Sequence, residues 1–263
     1  MTYLEIPLWR LSIAALLVVV AIALSRASSL DLGKALGIGA VRAAAQLVAV
    51  GYALHLLIGA DHPAAVLAVL LVMWSVAAFT STQRLKHGPP PRRLFRHAFA
   101  AIGAGGFVAL VPVFLLVIPP RPWFDARYVI PIGGMMLSSA MNVVAQVFER
   151  LFASASAEEA TIEQYLALGA TPAQALAPYV RDALRAALIP TINGLVTVGL
   201  VALPGMMTGQ IVSGTAPEQA VRYQIVIMYQ LVAVAAVAGF VAAWSARRVL
   251  FTQESQLRSW PPR

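Results

Sequence analysis

The chain has 263 residues, 60% of them hydrophobic and 11% charged, with no cysteine and a net charge of +8. Such usage lies far from that of soluble globular proteins and describes a polytopic membrane protein with one main domain. Without cysteine there is no disulfide, thiolate metal ligand or redox pair, and the excess positive charge is explained more simply by orientation in a bilayer than by nucleic acid.

A hydrocarbon core of about 30 Å needs about 20 apolar residues per helix. Seven suitable runs follow one another at 6–24, 35–58, 64–80, 98–118, 128–148, 188–213 and 223–246. They predict an all-α transmembrane bundle, with residues 1–250 as the membrane domain and 251–263 as a tail. The first run is expected to remain as a helix, because Glu5 stands where a signal peptide carries positive charge and the apolar stretch is too long.

Basic residues orient the bundle. With the N-terminus outside, the inner side receives Arg26 and Lys34, then Arg84, Lys86, Arg92, Arg93 and Arg96, then Arg150, Arg181 and Arg185, and finally Arg247, Arg248, Arg258 and Arg263. Only Arg10, Arg121, Arg127 and Arg222 fall outside, and Arg42 lies within a span. The positive-inside rule therefore predicts N-out and C-in.

In chain order, Arg42 and Gln46 share one face of the second run. Arg42 either lines a path or snorkels to the headgroups. His55, Asp61 and His62 gather at the next short loop, a weak metal signal beside the simpler reading of a solvated turn. Gly88-Pro-Pro-Pro91 and Pro119-Pro-Arg-Pro122 are turns rather than domain boundaries.

On the fifth run Ser138, Ser139, Asn142, Gln146 and Glu149 recur at three- and four-residue steps, a polar stripe along one helix. Polar side chains in hydrocarbon normally face protein or a water-filled path. Interhelical hydrogen bonding accounts for single members; for the whole stripe a translocation path or a dimer seam is the better reading. Gly133, Gly134 and Ala140 permit close helix approach nearby. The methionines Met135, Met136, Met141, Met206 and Met207 offer soft ligands, but methionine more often fills gaps in packing.

Between the fifth and sixth runs lies an amphipathic segment, 156–187. Ser156 with Glu159, and Thr171 with Gln174, each spell a capping box, and Pro172 suits a first helical position. Gly169 suits the left-handed residue that ends the first helix. The expectation is helix, sharp turn, helix, with an ordinary interfacial helix as the alternative. In the sixth run Asn193 and Thr197 are four apart, and Pro204-Gly205 interrupts the span ahead of Thr208. Interrupted helices of this sort line transporter sites or make simple kinks.

The chain has no Gly-x-x-x-x-Gly-Lys-Ser/Thr loop, so ATP is not hydrolysed here in the P-loop manner. A nucleophile–base pair at membrane depth is also missing, and no enzymatic activity is expected. A proton-driven carrier would bury an acid or histidine relay, yet every acidic residue lies in a loop or at a span end. That carrier, working without an ATPase, is nevertheless the main alternative function.

The run Glu163-Gln-Tyr-Leu-Ala-Leu-Gly-Ala-Thr-Pro172 resembles the coupling loop of ABC-transporter permeases, whose turn docks on an ATP-hydrolysing subunit. Together with 181–193, 198–211 and 220–228 it is similar to the FetB family of ABC permeases, and to plant aluminium-tolerance membrane subunits. The resemblance implies that Glu163, Leu168, Gly169, Ala170, Thr171 and Pro172 couple the bundle to an ABC ATP-binding subunit. It further implies a permease homodimer with two ATPases, in the bacterial inner membrane, exporting iron or a related metal. ATP and Mg would bind the partner, with no cofactor in this chain. The path residues remain those of the stripes: Arg42, Gln46, Ser138, Ser139, Asn142, Gln146, Asn193, Thr197, Pro204, Gly205 and Thr208. The residues that would hold a metal are unassigned, because the spans contain neither carboxylate nor cysteine.

Overall fold

The computed structural model describes residues 7–30, 32–60, 62–83, 85 and 88–258. Asp61, Arg84, Lys86, His87 and Arg263 lie outside the described residues. The architecture is all-α, with no named strand among the described residues. Two compact units divide at Asp61 and His62.

The first unit is a pair of apolar helices, α1 (Leu8–Ala27) and α2 (Gly33–Ala60), which pack on each other. The turn between them is held by Ser25, whose carbonyl accepts from the Leu30 N–H at 3.0 Å and whose hydroxyl accepts from the Leu32 N–H at 3.1 Å. A Cβ at Gly33 would already touch Ile22, so the small residue lets the two helices start close together.

The second unit holds α3 (Pro63–Gln83), α4 (Pro91–Pro112), α5 (Ala126–Ala157), α6 (Glu159–Ala167), α7 (Pro172–Thr197), α8 (Gly205–Val212) and α9 (Pro217–Leu250). Helix α9 packs against α4, α5, α7 and α8, while α3 packs on α4 and α5. Lipid is as apolar as leucine, so hydrophobicity alone does not drive helices together in a membrane; close packing of small residues does. The α4–α9 contact follows this rule. Ala98, Ala101, Gly105 and Ala109 on α4 are buried, as are Ala235, Ala238 and Ala242 on α9. On α5, Gly133 comes against Leu70 and Gly134 against Met73, so the expected close approach is made with α3.

Two polar ties reinforce these seams. The Trp74 indole N–H donates to the Phe99 carbonyl at 2.9 Å, and the two rings stack at 4.0 Å. At the far end of α4, Pro112 has no N–H to give, and the helix loosens into a π turn (Val113–Val117) in which the Ile118 N–H reaches back to Val113. The Val113 N–H is drawn to the Leu110 carbonyl. The Ala109 carbonyl, one turn back, accepts from the buried Gln230 amide of α9 at 3.2 Å.

Among the described residues, five helices are long and apolar enough to cross a membrane: Gly33–Ile58, Pro63–Gln83, Pro91–Val117, Ala126–Ala157 and Pro217–Leu250. The first run forms a shorter apolar helix. The sixth run, 188–213, is interrupted as Pro204-Gly205 predicts, but the break is longer than that step. Helix α7 stops at Thr197, and α8 begins only at Gly205. The break therefore opens seven residues before Gly205 rather than at Pro204-Gly205 alone. Its reason is the backbone of the intervening turn: Gly199 takes φ +81°, and the Gly199 N–H donates to the Ala202 carbonyl at 3.0 Å.

Candidate functional site

Helix α6 is short because its sequence stops it. Leu168 ends it, the Gly169 N–H donates to the Leu166 carbonyl, and the Ala170 N–H donates to the Tyr165 carbonyl, each at 3.0 Å. That pair of bonds is a Schellman closure, which needs a left-handed residue. Gly169 supplies it with φ +90°. Two residues later Thr171 starts α7 with a complete capping box. The Gln174 N–H donates to Thr171 Oγ1 at 3.3 Å and the Thr171 N–H to Gln174 Oε1 at 2.8 Å, with Pro172 in the first turn. Both sequence expectations at this turn are met by the backbone.

The other capping box, Ser156 with Glu159, does not form. Helix α5 continues to Ala157 because Leu151, Phe152 and Ala155 stay buried along its apolar stripe, which keeps Ser156 inside the helix. Glu158 takes the junction between α5 and α6 instead, and its carboxylate accepts from the Thr161 hydroxyl at 3.1 Å. The Tyr179 phenol, near Glu158 and Tyr165, is pushed above its usual range by burial first and by those two neighbours second, so it stays a neutral donor.

The turn is fixed from beneath and bare on top. Ile162 of α6 and Ala175 and Leu176 of α7 are buried, while Glu163, Ala167, Leu168, Gly169 and Thr171 are exposed. Leu168 at the tip is 85% exposed. Leu168 is thus presented beside small residues, on a turn held by two capping motifs.

The polar residues of α5 lie on the side away from the second unit's core. Ser138, Asn142 and Glu149 are exposed and Ser139 and Gln146 half-buried, whereas Met136, Ala140, Val143, Val144 and Val147 on the opposite side are buried. The helix is thus two-faced: apolar towards its own bundle, polar away from it. Asn193 is exposed on α7, and Thr197 is half-buried with its hydroxyl donating to the Asn193 carbonyl at 2.8 Å. Thr208 on α8 does the same towards Pro204 at 3.0 Å, and Pro204 and Gly205 form the start of that helix. Both threonines satisfy themselves on their own helices. Arg42 and Gln46 are exposed on α2, in the first unit.

Among the described residues no three His, Asp or Glu side chains gather as a metal site. His62 acts locally, its Nδ1 accepting from the Ala64 N–H at 3.2 Å at the start of α3. Met136 is buried, and Met135, Met141 and Met206 pack on the core, as gap-filling thioethers do. The sequence reading overlooked Gln224 and Gln230, both buried on α9 with amide oxygens unpaired among the described residues. The signal was present, because each is a polar residue in an apolar run, but they are spaced six apart and form no stripe.

With this geometry in view, comparison with known proteins is informative. The family model described as "Uncharacterised protein family (UPF0014)" matches residues 8–251. The chain is 39% identical to the UPF0014 membrane protein slr1647 of Synechocystis, over 81% of each chain. It is 36% identical to the "Probable iron export permease protein FetB" of Escherichia coli, over 94% of this chain and 93% of that one. A plant relative, the UPF0014 membrane protein STAR2 of rice, is 36% identical over 93% of this chain and 84% of its own length. No solved structure matches. An all-α apolar bundle matched from end to end by such relatives is a multi-pass membrane protein, and the chain belongs to the UPF0014 family.

Proposed function

We propose that this chain is the membrane-spanning subunit of an ABC transporter, working as a pair of copies with a separate ATPase and exporting iron or a related metal across the bacterial inner membrane. The observation that carries the reading is the bare turn between α6 and α7, anchored by Ile162 and Leu176 and presenting Leu168 at its tip. A rigid knob transmits displacement; a flexible loop would absorb it. Glu163, one helical turn or so before Leu168, is exposed on the same short helix and free to meet a basic partner surface.

The two-faced α5 supports the pairing. An exposed row of Ser138, Asn142 and Glu149 on an apolar 32-residue helix is costly against lipid. A second copy, with water between the two rows, would relieve that cost and line a path. The metal substrate rests on the relationship to the E. coli protein, whose name carries iron export.

Isolation of the chain from native membranes in mild detergent tests the reading. A P-loop ATPase subunit should accompany it, and Glu163→Lys or Leu168→Asp should shed that subunit while the chain stays inserted. Recovery of the intact chain without any ATP-binding protein, or retention of the ATPase by both variants, would overturn the coupling assignment.

A further inference from the structure

The same end of the second unit that carries the α6–α7 turn holds a cavity of about 850 Å³, lined by Arg92, Arg93, Arg96, His97, Arg248 and Arg258 with Val249. These residues come from three separate segments: the first two turns of α4, the last turn of α9, and the tail beyond it. Arg258 is brought in by a specific fold-back. The Arg258 N–H donates to the Leu250 carbonyl at 2.8 Å, the Thr252 N–H to the Gln256 carbonyl at 2.9 Å, and Phe251 is buried. Arg248 is also fixed, its guanidinium lying 3.7 Å over the Trp244 ring. That stack occupies the face of the guanidinium and leaves the N–H donors along its edge for another group.

Besides Arg93, the guanidiniums of Arg92, Arg96, Arg248 and Arg258 converge here, and no carboxylate lines the cavity among the described residues. Glu159 lines an adjoining narrow cleft together with Arg258. Like charges held this close repel unless an anion joins them. Orientation in a bilayer needs basic residues on this side, but it does not need them gathered into one cavity or a tail folded back to add another. The level of the cavity narrows the choice of anion. Helix α4 starts at Pro91, ahead of its apolar run 98–118, and α9 ends at Leu250, just past its run 223–246, so these basic residues lie at the edge of the apolar runs, the level of the headgroups. Exposed Trp244 and half-buried Phe95 and Phe99 stand beside it, as aromatic residues do at that boundary. Its size falls in the range of small-ligand sites, about 300–1,000 Å³.

The geometry points to a binding site for the phosphate of an anionic lipid headgroup, held by Arg96, Arg248 and Arg258 between α4, α9 and the folded-back tail. Guanidinium forks suit phosphate oxygens, and basic pockets between membrane helices are known headgroup sites. The inference is independent of the ATPase and of the transported substrate.

Native mass spectrometry of the full chain released from nanodiscs of equal phosphatidylglycerol and phosphatidylcholine tests it. Phosphatidylglycerol should be retained in preference. Arg96→Gln with Arg248→Gln should lower that retention about tenfold, and Arg258→Gln alone should lower it less. Arg181→Gln with Arg185→Gln, on α7 outside the cavity, should leave it unchanged, and all variants should elute as the parent does, since these side chains are exposed. In nanodiscs of phosphatidylcholine alone, millimolar inorganic phosphate or pyrophosphate should give no comparable thermal stabilisation. The proposal fails if the double variant keeps phosphatidylglycerol as well as the parent. It fails also if the soluble phosphates stabilise the chain as the lipid does, or if the variants lose a protein partner while lipid retention is untouched.

Discussion

On α4, a Cβ at Gly105 would lie 2.9 Å from the Val234 carbonyl oxygen and 3.0 Å from the Ala238 Cβ; at Gly169, between α6 and α7, the same atom would meet nothing within 4 Å. What excludes a side chain at Gly169 is its φ of +90°, not its surroundings. One glycine is required by a neighbouring helix, the other by its own backbone. The bundle is therefore built by crowding, while the turn is built locally and left clear. A device meant to contact a separate subunit has to be of the second kind, because its surface must be available after the chain has folded.

Matched substitutions test that contrast. Gly105→Ala should have the largest effect, because the obstacle is partly backbone and α9 must shift as a body. Overpacking of this kind costs about 1–3 kcal/mol, read as a lower melting temperature of the detergent-solubilised chain. An unchanged melting temperature would mean that α4 and α9 are not in tight contact.

Gly169→Ala should cost about 1–2 kcal/mol of local strain from the left-handed backbone. It should leave the melting temperature of the bundle close to that of the parent, because the turn makes no contact at this position. Hydrogen exchange should quicken at Leu168 and Ala170 and not in α4 or α9. If instead Gly169→Ala lowers the melting temperature as far as Gly105→Ala does, the turn is part of the core and cannot act as a separate knob.

The smallest change expected is from Thr171→Ala, which removes the Thr171 side of the capping box and costs about 1 kcal/mol. Ala175 and Leu176 remain buried one turn on, so fraying should stop within the first turn of α7. Exchange that spreads beyond Leu176 would show that the cap, and not burial, holds this helix.

These two kinds of glycine also mark how far the sequence could be read. Gly169, Thr171, Pro172 and Gln174 act within a few residues of one another, so the helix ends at this turn were legible from residue type and spacing alone. Ser156 and Glu159 carry the same signature three residues apart and yet make no cap, because burial of Phe152 and Ala155 prolongs α5 past Ser156. The polar stripe from Ser138 to Glu149 was legible as a stripe, since helical periodicity is local. Which way it faces was not, because that depends on what the opposite side packs against.

From the sequence alone come the all-α membrane class, the apolar runs, the polar face of α5 and the turn at Gly169, together with a family resemblance that the comparisons bear out. Each of these rests on composition, a 3.6-residue period or a short backbone motif. Only the tertiary structure decided that the break in the run at 188–213 extends from Val198 to Pro204 and that Gly105 lies against α9. It alone showed that Gln230 serves a carbonyl near Pro112, and that arginines more than a hundred residues apart share one cavity. Those outcomes depend on which distant segments meet, and no local rule of spacing or propensity carries that information.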